Sequence, residues 1–200
     1  ERAKMLVTAS GDVEGTIGGG CLEAEVYAIA RRMLAESGAA GCSLDRFNLT
    51  EVEQGLGGHV CGGSVTVLTQ ALIPDEPTRR MAGELARAID DRRPAVFVSR
   101  LPRDGQSLPA ATALMTGAQL YATATVPPSV AAEAARLLRQ HSTAPERLTV
   151  DDEEWFLEPL LPVPVAIILG AGHCGRAIGE LAARVGFRVV MVEEPASAGE

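Results

Sequence analysis

The chain has 200 residues, of which 46% are hydrophobic and 22% charged, and its formal net charge is −8. This is the composition of a globular protein that buries a core, and the length allows one large or two small domains. The acidic balance excludes a basic surface for nucleic acid or for an anionic membrane, so we expect neither partner. Four dispersed cysteines without CxxC pairs predict reduced thiols in a cytoplasmic protein rather than a zinc site or a disulfide scaffold.

The first part of the chain predicts a small α/β unit built around a glycine loop. Alternating and helix-spaced apolar residues indicate a strand, a turn, a second strand, a helix and two further strands. These predicted elements lie at residues 4–9, 10–12, 13–17, 21–37, 44–49 and 65–72. Three glycines, Gly18, Gly19 and Gly20, stand directly before the helix. We therefore predict an N-terminal domain over residues 1–77.

The middle of the chain predicts a connecting α/β region over residues 78–162. Helical spacing covers 78–91, with Thr78 as the expected N-cap, and a second helix is expected over 129–140. Strands are predicted at residues 95–101, 113–115 and 155–157.

The last part of the chain predicts the start of a Rossmann-like domain over residues 163–200. A continuous apolar run at 165–169 is typical of a buried parallel strand, and a helical pattern and a second strand at 187–192 follow it. About half a domain normally follows such a unit, so we expect this domain to be truncated here. The predicted fold class is α/β, an N-terminal α/β domain followed by a parallel-sheet domain.

The segment 170–175 reads GAGHCG, a GxGxxG motif between the predicted strand and helix. Gly170 would permit the tight turn, Gly172 the close approach of a phosphate, and Gly175 close packing of the helix. His173 lies within the loop, and Glu193 follows the next strand, where a carboxylate meets a ribose hydroxyl. The motif predicts a phosphate-bearing ligand; the alternative is that the glycines serve packing alone.

Residues 15–23 read GTIGGGCLE and place Cys21 and Glu23 in the first turn of a predicted helix. Positive dipole character at a helix N-terminus favours the thiolate, which is a nucleophile and a ligand for soft metals. The alternative is a small buried cysteine, with Glu23 acting only as a favourable charge at the helix N-terminus.

A third glycine-rich segment, residues 57–63, contains His59 and Cys61 followed by Gly62 and Gly63. A thiol and an imidazole in a loop before a strand can bind a ligand. Because no second cysteine is close in sequence, a zinc knuckle is not predicted, and a plain turn with an exposed His59 is the alternative.

Together these segments resemble the XdhC/CoxI family, in which GxIGGGCLE, CGGxVxVL and GAGHxGxAL occur in this order. The corresponding segments here are GTIGGGCLE at 15–23, CGGSVTVL at 61–68 and GAGHCGRAI at 170–178. The combination is far more specific than GxGxxG alone, which occurs in many dehydrogenases.

The resemblance implies an accessory protein that binds molybdenum cofactor, as molybdopterin or its dinucleotide form, and promotes its insertion into xanthine dehydrogenase-type hydroxylases. It also implies a homodimer and, because some clients need a sulfurated metal, a cysteine desulfurase as a further partner. The three glycine segments with Glu23, His173 and Glu193 would bind the cofactor. Cys21 and Cys61 would contact molybdenum or its sulfur, and we expect their loops to face one cleft.

Two other functions remain open from the residues. The family usually has an aspartate after the second Rossmann strand, whereas Glu193-Glu194-Pro195 stands here, which leaves the nucleotide preference open. An NAD(P)-dependent oxidoreductase would use the same loop, with NAD(P) or another nucleotide as ligand, but the sequence offers no acid–base pair for hydride chemistry. A nucleotide-sensing module would need the loop at 170–175 and neither cysteine.

Overall fold

The computed structural model describes residues 3–36, 41–49, 63–103 and 108–193. Helices and strands are mixed along the chain, which confirms the predicted α/β class. None of the helices in these residues is long and apolar enough to cross a bilayer. The strands are β1 Lys4–Val7, β2 Val13–Thr16, β3 Gly41–Asn48, β4 Ser64–Ala71, β5 Ala95–Leu101, β6 Thr112–Thr116, β7 Gln119–Ala122, β8 Glu146–Val150, β9 Glu153–Leu160, β10 Val165–Leu169 and β11 Arg188–Val192. The helices are α1 Gly20–Glu36, α2 Glu76–Asp90, α3 Pro128–Arg139 and α4 His173–Arg184.

Two separate antiparallel hairpins form the N-terminal part. β1 pairs with β2, with Lys4 opposite Thr16, and β3 pairs with β4 along all eight residues of each strand. β3 begins three residues before the predicted start at residue 44 because its pairing with β4 continues to Gly41, and the buried Cys42 is also bridged to Leu108 through a main-chain hydrogen bond. Such a long-range contact has no local sequence signal.

The region predicted as a connection contains a five-stranded antiparallel sheet of order β7-β6-β5-β9-β8. Successive residues of β5 point to opposite faces of this sheet. Val96 and Val98 pack with Trp155 and the buried face of α3, whereas Ala95 packs with α2 on the other face. Both helices therefore cover this sheet. The division of the chain at residues 77 and 162 stays a prediction.

Three details of this region differ from the prediction. Asp75, not Thr78, caps α2: its carboxylate accepts the Thr78 amide, and Pro77 lies in the first turn, where its missing N–H costs nothing. β7 is only four residues long and β8 alternates apolar and polar residues only over its five residues, and neither strand was predicted. β9 covers Glu153–Leu160, beyond the predicted 155–157, because its pairing with β8 begins at Glu153 and its pairing with β5 continues to Leu160.

A buried carboxylate links the first hairpin to the five-stranded sheet. Lys4 Nζ on β1 lies 2.5 Å from Glu158 Oε1 on β9, and the Glu158 side chain is only 10% exposed. A buried carboxylate requires such a partner, because desolvation of an unpaired charge is costly. The ion pair fixes the hairpin that leads into the first glycine loop.

The C-terminal part is a parallel β-α-β unit. β10 and β11 pair in parallel, with Val165 opposite Arg188 and Leu169 opposite Val192, and α4 connects them. This pairing agrees with the Rossmann-like arrangement predicted for the region. The expectation that β10 is a buried strand is wrong in part: Ile167 and Leu169 are exposed, because α4 is the one helix that packs on this pair in the described part of the chain.

Candidate functional site

The first glycine loop has a backbone that only glycine adopts readily. Gly18, Gly19 and Gly20 have φ values of +124°, +78° and +70° in succession. Side chains with a Cβ are disfavoured in this region of φ, so three glycines are a steric requirement here. The loop carries the chain from β2 directly into α1, as the sequence predicted.

Glu23 closes this loop from within the chain. Its Oε1 accepts hydrogen bonds from the amides of Ile17 at 3.0 Å and Gly19 at 3.1 Å, and also from the hydroxyl of Thr16. The Thr16 hydroxyl, followed by the Ile17 amide, lowers the pKa of the Glu23 carboxyl below its ordinary value. The carboxylate is thus engaged in holding the loop, whereas the sequence had predicted it as a cofactor-binding group.

Cys21 is the second residue of α1 and its thiol is free and exposed. The alternative of a small buried cysteine is therefore wrong for this position. An exposed thiol in the first turn of a helix lies in the positive field of the helix N-terminus. This is a position from which a cysteine can reach a ligand.

The second predicted thiol, Cys61, belongs to the third glycine-rich segment. Cys61, Gly62 and His59 lie outside the described residues, and of that glycine segment the structure describes Gly63, whose carbonyl accepts the Leu49 amide at the start of the β3–β4 pairing. The prediction that Cys21 and Cys61 face one cleft stays a prediction. Within the described residues no group of three or more His, Cys, Asp or Glu side chains could hold a metal ion.

The glycines of the second loop have the geometry that the motif predicted. Gly170 has a φ of +99° in the turn after β10, and its amide continues the parallel pairing by donating to the Val192 carbonyl at 2.7 Å. A Cβ on Gly175 would lie 2.0 Å from the Gly170 carbonyl oxygen, so the helix can approach the strand only with glycine there. Nothing lies within 4 Å of a Cβ built on Gly172, which leaves the loop backbone open.

The remaining predicted residues lie at the same edge of the parallel pair. His173 is the first residue of α4, and Glu193 directly follows β11 beside the Gly170 turn. Both side chains are exposed. Arg176, which sequence reasoning did not single out, braces the loop because its Nε donates to the Ala171 carbonyl at 2.8 Å. The first-turn amides of any helix lack intrahelical acceptors, so an anion can bind at this edge.

The N-terminal part of the chain is similar to a known protein family. Residues 3–47 match the sequence profile of the XdhC and CoxI family, and this segment includes the first glycine loop and α1. The predicted family resemblance is confirmed. The XdhC and CoxI match thus covers the exposed Cys21 and the loop that Glu23 closes, whereas the second glycine loop lies outside it.

The fold is also found in a solved structure. The chain is similar to the crystal structure of a xanthine dehydrogenase from Bacillus halodurans, with a TM-score of 0.67 and 22% identity, over 94% of this chain and 51% of that one. At this identity the likeness shows the fold. The chain spans about half the length of that neighbour. No curated protein matches the chain.

Proposed function

We propose that this chain is an accessory protein of the xanthine dehydrogenase system that binds molybdenum cofactor and delivers it to a molybdenum hydroxylase. The observation that carries the proposal is the exposed Cys21 thiol on a glycine-built helix start, within the segment that matches the XdhC and CoxI family. A thiolate is the protein ligand that suits a soft metal–sulfur centre. The neighbour's description as a xanthine dehydrogenase is consistent with the same system.

The residues present fit a ligand with a phosphate at one end. The open backbone at Gly172 and the first-turn amides of α4 suit a phosphate or pyrophosphate, and Glu193 can accept hydrogen bonds from the ribose of a dinucleotide form. Molybdenum cofactor would supply the metal–sulfur chemistry that its client enzyme uses. This chain would bind the phosphate, orient the pterin and present a thiol, and it would not turn over a substrate.

The proposal extends to partners that the family resemblance implies. The client would be a hydroxylase such as xanthine dehydrogenase, a cysteine desulfurase would supply sulfur, and two copies of the chain would form a dimer in the cytoplasm. An acidic protein of net charge −8 has no general attraction for nucleic acid, so recognition of these partners would depend on shape and specific contacts.

Two cysteine variants test the proposal, because Cys21 and Cys174 are matched. Each is an exposed free thiol at the second position of a helix. We expect Cys21→Ser to weaken binding of molybdenum cofactor about tenfold or more, a loss of about 1.4 kcal/mol, and Cys174→Ser to leave the affinity within about twofold. Bound cofactor is measured by the fluorescence of the released, oxidised pterin, and delivery by the activity that an apo-hydroxylase regains.

Equal affinity in wild type and Cys21→Ser would contradict the assigned thiol. Loss of binding in Cys174→Ser alone would move the metal contact to the second loop. Failure of wild-type protein to bind the cofactor at all would refute the proposed function.

A second candidate is an NAD(P)-dependent oxidoreductase, which the geometry of Gly170, Gly175 and Glu193 also suits. Such an enzyme needs an acid or base beside the nicotinamide. Titration with NADH and NADPH, followed by nicotinamide fluorescence and by turnover of alcohols and hydroxy acids, separates the two functions. Steady turnover would favour the oxidoreductase, whereas binding of molybdenum cofactor without turnover would favour the accessory protein.

A further inference from the structure

Three successive amides at the entry to the first glycine loop, those of Ile17, Gly18 and Gly19, are already bound by the chain itself. The amides of Ile17 and Gly19 donate to the Glu23 carboxylate, and the amide of Gly18 donates to the Thr16 hydroxyl oxygen at 3.2 Å. Consecutive amides in such a loop, followed by a helix N-terminus, would otherwise form a concave site for an anion. In this loop the Glu23 carboxylate, a side chain of α1, takes the position that such an anion would occupy.

The second loop presents the opposite arrangement at the start of α4. Its N-cap is Gly172, no side chain caps the helix, and α4, whose residues are all described, has no acidic residue in its first turn. α1 by contrast carries Glu23 in its first turn. Of the two glycine loops, the first therefore holds a carboxylate of its own helix, whereas the second holds none.

The charge of Glu23 reinforces this difference. Hydrogen bonds from Thr16, Ile17 and Gly19 stabilise the ionised carboxylate, so the group stays negative at neutral pH. A phosphate that approached the loop would meet occupied donors and a charge of its own sign. Like charges at close range repel each other.

We propose that Glu23 is a specificity-determining residue that excludes phosphate from the first glycine loop and reserves the phosphate of a ligand for the loop at 170–175. This inference rests on the proposed function, because it divides one ligand between the two loops. The first loop then faces a part of the ligand that carries no phosphate, beside Cys21. The second loop takes the phosphate.

Inorganic phosphate is the probe, and amide chemical shifts in the whole chain are the readout. In wild type, phosphate should shift the amides of Gly172 to Gly175 and leave those of Ile17 to Gly19 unmoved. Glu23→Ala frees the loop amides, so phosphate should shift them at concentrations that leave the wild-type amides of this loop unmoved. Glu23→Gln keeps the acceptor oxygen and removes the charge, so a smaller gain is expected.

Glu25→Ala is the matched control, because Glu25 is an exposed carboxylate on the same helix and does not contact the loop. Its phosphate response should equal that of wild type. The dispersion of the amide spectrum shows whether each variant is folded, and Glu23→Gln decides the question if Glu23→Ala is not.

The proposal is overturned if phosphate shifts the Ile17 and Gly19 amides of wild type, or if no folded variant at position 23 gains a response there. Absence of any shift at Gly172 to Gly175 in all variants would refute the phosphate site of the proposed function instead. The two failures are therefore distinguishable, because they are read from different loops.

Discussion

The close approach of α4 to β10 makes Gly175 the most sharply testable position of the second loop. In Gly175→Ala the new Cβ would lie 2.0 Å from the Gly170 carbonyl oxygen, 3.1 Å from its carbonyl carbon and 3.3 Å from Ile168 Cγ2. The nearest obstacle is main chain, which cannot rotate away as a side chain would. Gly170 is also held at a φ of +99° with its amide bound to Val192, so the turn has little freedom to yield.

The expected magnitude follows from two opposing effects. Overpacking of a close contact costs about 1–3 kcal/mol, and an immovable carbonyl places this position at the upper end, about 3 kcal/mol. Replacing glycine by alanine in a helix returns up to about 1 kcal/mol. The β-α-β unit of Gly175→Ala should therefore be about 2 kcal/mol less stable than that of wild type.

Gly179→Ala is the matched control on the same helix. A Cβ there would lie 3.4 Å from Ile168 Cδ1 and from Val189 Cγ1, which are ends of side chains that can adjust. We expect this variant to be neutral or to gain up to about 1 kcal/mol. Native-state amide exchange in α4 and β11 measures the local stability of the unit directly, and urea unfolding followed by circular dichroism measures it in parallel.

The reasoning is refuted if Gly175→Ala lies within about 0.5 kcal/mol of wild type, the range of an ordinary surface substitution. The same holds if Gly179→Ala is the more damaging change. Either result would mean that the glycine loop moves easily and that Gly175 is not a steric requirement.

Three further predictions concern the rest of the chain. Lys4→Met leaves the buried Glu158 carboxylate without its ion pair, so we expect a loss of about 1–3 kcal/mol and faster amide exchange in β1. Trp155→Ala empties the centre of the larger core and should cost about 3–5 kcal/mol, measured by circular dichroism because Trp155 is the single tryptophan. The Glu23 pKa is lowered in the folded chain, so its stabilising contribution is present above the unfolded value of about 4.3 and is lost as the pH falls through the folded value. Urea midpoints between neutral and acidic pH should show this dependence in wild type and lack it in Glu23→Gln.

Each of these three predictions has a result that would contradict it. Unchanged β1 exchange in Lys4→Met would mean that the ion pair does not hold the hairpin. A cost below about 1 kcal/mol for Trp155→Ala would be incompatible with a side chain that is 1% exposed. An identical acid response in wild type and Glu23→Gln would show that the carboxylate is not stabilised in the loop.

Helices and strands with a strong local sequence pattern could be predicted from the sequence. Strands that depend mainly on pairing with a neighbouring strand could not. The span of β5 follows from its apolar alternation, and α1 from helical spacing after three glycines. β8 has exposed residues at alternate positions and is joined to β9 by Asp151 and Asp152, both at positive φ. An Asp-Asp pair is a weaker turn signal than Asn-Gly or Asp-Gly, and it was not read as a hairpin.

The sequence by itself determined where the two glycine loops lie and which backbone each needs. The roles of Gly170 and Gly175 follow from the stereochemistry of glycine, which is local and therefore visible in a motif. It also determined that Cys21 lies in the first turn of a helix, because helical spacing and a run of glycines before it are patterns of neighbouring residues.

Only the tertiary structure decided what each polar group binds. Glu23 turns back to the amides of Ile17 and Gly19 rather than outward to a ligand, and Glu158 is buried against Lys4, which lies 154 residues away in the chain. A carboxylate in a sequence carries no mark of its partner, because its hydrogen bonds are set by which donors the folded backbone brings within about 3 Å. Whether an acid beside a glycine loop binds a ligand or closes the loop is therefore a property of the fold.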